Sequence, residues 1–147
     1  MRIGCRIRLL SLAAGFAVAV SLAADDADLP VFGEIMRGLE RDLSTATQAL
    51  VREDWESVRA AAEAIADHPE PPMSERRRIM ARATSRDIPV AEVRATDQEV
   101  HKAAGELADA ARRGDMDDAL RHHAEVIRGC VACHDMMRPE EGLPPLR

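Results

Sequence analysis

The chain has 147 residues, a formal net charge of −6, 46% hydrophobic residues and only three aromatic side chains. That length suits one domain, and a composition rich in Ala, Leu, Glu and Arg with so few aromatics argues for helices and against a sheet-based fold. The acidic balance argues against nucleic-acid binding, because such a surface repels phosphates.

In chain order, the first segment carries Arg2, Arg6 and Arg8 with no acid and then an apolar stretch from Leu9 to Leu22, ending Ser21-Leu22-Ala23. This predicts a secretory signal peptide over residues 1–23, cleaved near Ala23 or Ala24. The stretch is shorter than the roughly 20 residues a membrane-spanning helix needs. Cleavage takes three arginines and no acid, leaving a net charge of −9 on a chain expected in the periplasm with no membrane attachment.

The mature domain, residues 24–138, shows helical punctuation. Asp28 and Pro30 predict the start of a helix that runs to about Val51, and Leu29, Phe32, Met36, Leu39, Leu43, Ala46 and Leu50 form its apolar stripe. A second helix is expected from about Asp54 to Asp67, with Trp55, Val58, Ala62 and Ile65 facing inward, before the run His68-Pro69-Glu70-Pro71-Pro72 ends it. Residues 73–86 read as a long connection with a helical turn or two. Asp87-Ile88-Pro89 opens a third helix carrying Val93, Val100, Ala104, Leu107 and Ala111, which stops near Gly114. Asp115 caps a fourth, whose stripe Leu120, His123, Ile127, Cys130, His134 and Met137 sets a buried seam ahead of Arg138-Pro139. Residues 139–147 form a loose tail. Four such helices predict an all-α, antiparallel up-down-up-down four-helix bundle.

Cys5 leaves with the signal, so the mature cysteines are Cys130 and Cys133, with His134 directly after them. Cys130-Val131-Ala132-Cys133-His134 is the pattern for covalent haem attachment: two thiols add to the vinyl groups of one macrocycle, and the following imidazole becomes the proximal iron ligand. A redox dithiol wants a strand and helix context that the chain lacks. A zinc site needs a fourth ligand, and the nearest candidates, His122 and His123, lie about 16 Å back along a rigid helix. The motif therefore implies one haem c, held through Cys130, Cys133 and His134. A thin, alanine-rich core also implies that the bundle is loosely packed and less stable without it.

From about Leu29 to Arg138 the chain resembles the class II c-type cytochromes, the group that includes cytochrome c prime. The resemblance is carried by the motif's place near the end of the last helix and by Ile35-Met36-Arg37-Gly38-Leu39 in the first. It implies a four-helix bundle that passes single electrons to redox partner proteins, not an enzyme, and one that often pairs as a homodimer. Low-spin members bind the iron's second face through a methionine early in helix one, which implies Met36 here. Cytochrome c prime itself leaves that face open and takes a diatomic gas such as NO or CO. Met36 is also suited to filling the core.

Met73, Met80 and Met116 are other sixth-ligand candidates, whereas Met136 and Met137 follow His134 on its own helix and cannot reach the opposite face. His123 reads as a polar residue near the bundle end. His68, His101 and His122 are expected at the surface, as is the run Arg76-Arg77-Arg78. Arg37 and Arg41 are candidates for haem propionates.

Overall fold

The computed structural model describes residues 29–137. The expected leader over residues 1–23, Asp28 and the tail from residue 138 onward lie outside the described residues. Among the described residues the chain is entirely helical, with five helices and no strand: α1 (Pro30–Val51), α2 (Trp55–Ala66), α3 (Met73–Ser85), α4 (Val90–Arg113) and α5 (Met116–Met137). None of them is long and apolar enough to cross a membrane.

The helix ends follow local chemistry. Pro30 sits in the first turn of α1, where a missing N–H costs nothing. Asp54 caps α2 by accepting from the Ser57 N–H at 3.2 Å, and those Ser57 hydrogen bonds hold its carboxyl below the usual range. Gly114 closes α4 in the left-handed region at φ 64°, and the Asp115 carboxylate accepts from the Asp118 N–H at 3.0 Å to start α5.

The segment after the proline run is a full helix, α3, and not the long connection with a helical turn or two that was expected. It carries few apolar residues and buries only Glu75 and Ala83, so no hydrophobic stripe announced it. Glu75 in its first turn and Arg82 in its last complement the helix dipole. Glu75 also reaches back to the start of α1. Its buried carboxylate accepts from the Val31 N–H at 3.1 Å and the Phe32 N–H at 2.7 Å, supplying the cap that Leu29 lacks.

Helix α4 is central, packing along α5 and along α2; α1 packs on α2, while α1 and α5 meet at few places and α3 touches α4 lightly. Alanine allows the close approach of α2 and α4. One core cluster gathers Leu50, Val58, Leu107 and several alanines, with Trp55 and Met116 packed against it. The other gathers Ile65, Val100, Ala103, Ala104 and Val126, with Leu39, Leu43 and Cys130 against it.

Candidate functional site

The site residues stand on α1 and α5. Cys130 and Cys133 lie one turn apart on α5, both half-buried and both free thiols. Burial pushes each thiol above its ordinary value, with the Asp97 carboxylate adding to the effect at Cys133. Protonated thiols in the body of a helix lack the lowered pKa that activates a redox dithiol, which weighs against that rival. Cys130 packs against the cluster of Ile65, Val100 and Val126. One turn further on, His134 is exposed, and Met36 on α1 is half-buried.

The face of α5 turned to the core is not the expected seam. Ala119, His122, His123 and Val126 are the buried residues, whereas Leu120 and Ile127 are 50% and 39% exposed. Small residues decide this. At Gly129 the helix runs so close to α4 that an added methyl group would collide with Val100 Cγ2. The core-facing stripe therefore rotates toward Ala119 and Gly129, and Leu120, Ile127 and His134 fall together on one flank, within about 40° of each other on the helical wheel. Cys130 and Cys133 fall within the arc of the buried stripe and are partly covered, while the His134 imidazole lies outside it.

His123 is buried and joins the two helices, its Nε2 lying 2.9 Å from Thr47 Oγ1 on α1. Thr47 already gives its hydroxyl proton to the Leu43 carbonyl, so the imidazole N–H is the donor. Burial lowers the pKa of His123.

Three histidines expected at the surface are engaged instead. His122 is buried, with Nδ1 at 2.8 Å from Glu125 and 3.2 Å from Glu106. His68 and His101 stack with ring centres 4.4 Å apart, beside Asp97. His122 with Glu125 and His101 with Asp97 have local helical spacing, but the partners from other elements, Glu106 for His122 and His68 for His101, could not be read from the sequence. Of the other methionines, Met73 and Met80 are exposed, and Met116 packs, like Trp55, against the core cluster of Leu50, Val58 and Leu107 at the far end of α5 from the motif. Arg41 is exposed, Arg37 stands 3.7 Å from Glu34, and Arg76 is half-buried and paired with Glu70.

Free thiols three residues apart on a helix, kept protonated by burial and followed by an imidazole, fit the donor set that covalent haem attachment requires. Comparison with protein-family models, curated proteins and solved structures returns no match.

Proposed function

We propose that the chain is an exported c-type cytochrome of the class II kind, an antiparallel up-down-up-down bundle with α3 inserted in its long connection. It carries one haem c through Cys130 and Cys133, with His134 as proximal ligand and Met36 on the opposite face. When bound, the group supplies one-electron exchange at its iron, and the protein acts as a periplasmic electron carrier between redox partner proteins.

A register relation carries this reading. Leu39 and Leu43 on α1 and Cys130 on α5 all pack against the cluster that holds Val126, which supports an antiparallel pairing in which stepping backward along α1 matches stepping forward along α5. Thr47 and His123 fix the level at which the two helices touch. Met36 lies eleven residues before Thr47, and His134 eleven after His123. Each displacement is three turns, about 16 Å, and returns to within about 20° of the same face. That register supports a thioether and an imidazole facing one another at one level, where α1 and α5 are otherwise little packed.

The chain's own residues would divide the work. Cys130 and Cys133 would each add S–H across one vinyl double bond, the sulfur bonding one carbon and the hydrogen passing to the other, while His134 would present a ring nitrogen and Met36 would favour the reduced state through its soft sulfur. Leu39 and Leu43, partly buried on α1, would help keep water from the site.

The test is the absorption spectrum of protein exported from a host that attaches haem c, oxidised and reduced, for the wild type and Met36→Ala. A low-spin spectrum that turns high-spin in Met36→Ala is expected. A wild-type spectrum that is already high-spin assigns the open, gas-binding form, and an unchanged Met36→Ala spectrum removes Met36 as ligand.

A further inference from the structure

Beyond the haem motif, we infer that His68, Asp97 and His101 form a second metal site, for one divalent first-row transition ion such as Zn2+. Three side chains from the end of α2 and from α4 bring together two imidazoles and a carboxylate, each offering a ligand atom within 4.8 Å of the others. Proximity alone is common among surface groups. The orientation of the rings makes this cluster different.

His68 Nδ1 lies 2.9 Å from the Ile65 carbonyl, and His101 Nδ1 is hydrogen-bonded to the Ala66 carbonyl. A carbonyl only accepts, so each ring carries its proton on Nδ1, and in the neutral ring Nε2 keeps its lone pair. Those carbonyls are among the four at the C-terminus of α2 that have no partner within the helix. Satisfying them locks both tautomers and holds both rings. This is the second-shell arrangement of metal-binding histidines, in which the nitrogen away from the ion donates to a backbone carbonyl or carboxylate.

Among the described residues both Nε2 atoms face the same carboxylate, at 4.0 Å from His68 to Asp97 Oδ1 and 3.6 Å from His101 to Asp97 Oδ2. These separations are too long for hydrogen bonds. They are close to the spacing of ligand atoms around one ion, about 3.3 Å for a tetrahedral shell with bonds of about 2.0 to 2.1 Å. The two rings are stacked 13° from parallel, so bringing both Nε2 lone pairs onto one ion requires one ring to tilt; His68 stands just past the last turn of α2 and Asp97 is 54% exposed, so that adjustment leaves both helices in place. Two imidazoles and one carboxylate suit borderline ions and leave a coordination position for water.

The other cluster, Glu106, His122 and Glu125, does not share this geometry. Nδ1 of His122 faces both carboxylates, and its Nε2 lies 3.2 Å from the Arg121 guanidinium, so both ring nitrogens are already engaged.

The site is tested by titrating tag-free, chelator-treated full-length protein with Zn2+ in a calorimeter. One saturable equivalent per chain is expected, with affinity lowered at least tenfold in Asp97→Asn and in His68→Gln, and unchanged in Glu106→Gln and in Cys133→Ser. Circular dichroism of each variant confirms that a loss of binding is not a loss of fold. Retention of full affinity in Asp97→Asn and His68→Gln would overturn the assignment. So would loss in Glu106→Gln, which moves the ion to the other cluster, or in Cys133→Ser, which moves it to the thiols. Absence of saturable uptake by the wild type overturns it outright. Because none of these readouts depends on haem, the site and the cytochrome reading can fail separately.

Discussion

Replacing Gly129 by alanine separates helix propensity from packing. In an exposed helix interior this change stabilises by about 1 kcal/mol, because glycine loses more backbone freedom on folding. Here the new methyl group would occupy the space of Val100 Cγ2, far inside van der Waals contact, with the Thr96 carbonyl next to it at 3.9 Å. Overpacking of this kind costs about 1 to 3 kcal/mol. The net expectation is a loss of about 1 kcal/mol, or a melting temperature lower by about 4 °C. Val100→Ala alone should cost about 2 kcal/mol by emptying part of a buried site. The double variant should be more stable than the two single losses imply, by at least about 1 kcal/mol, because the alanine methyl then fills the room that valine leaves. Urea denaturation followed by circular dichroism measures all four proteins. If Gly129→Ala is neutral or stabilising, or if the two changes simply add, the close approach of α4 and α5 at the edge of the motif is wrong.

Three other expectations follow from named groups. Glu75→Ala leaves two N–H groups at the start of α1 without their acceptor and should cost about 2 kcal/mol, with Glu75→Gln costing about half, read by thermal unfolding. Burial lowers the pKa of His123, so the unfolded chain takes up the proton first as pH falls. Stability should therefore be full above about pH 6.5 and decline below it, and His123→Gln, which keeps a donor for Thr47, should flatten that decline in urea titrations at several pH values. Burial raises the Cys130 and Cys133 thiols, so the folded haem-free chain holds those protons when the unfolded chain has released them. Its stability should be full below about pH 8.5 and fall above it, and the fall should vanish once both sulfurs are thioethers, as alkaline denaturation of the haem-free and haem-bearing forms would reveal.

Much of the fold was legible because the chain marks its helices with residues of unambiguous geometry. Pro30, Asp54, Gly114 and Asp115 bound α1, α2, α4 and α5 within a residue or so of where they begin or end. Helix α3 was not, since its apolar residues form no buried stripe and its main tertiary interaction is a single carboxylate capping another helix. On α1 the expected stripe is only half right: Leu29, Ala46 and Leu50 are buried, Phe32, Met36, Leu39 and Leu43 only partly, and Ile35 and Ala49 are buried without having been expected. On α5 the more hydrophobic stripe lost to the smaller one, because Ala119 and Gly129 let α4 approach in a way that Leu120 and Ile127 do not. Site residues adjacent in sequence, Cys130, Cys133 and His134, were visible at once. The pairings of Thr47 with His123 and of His68 with His101 and Asp97 depend on how helices lie against each other, which no local spacing encodes.

The most direct test of the central claim is the intact mass of the mature protein exported by a host that attaches haem c, compared under denaturing conditions with the Cys130→Ser, Cys133→Ser double variant. The wild type should be heavier than its polypeptide by one porphyrin that denaturation does not release, and the variant should not. A bare polypeptide mass for both would contradict the cytochrome account.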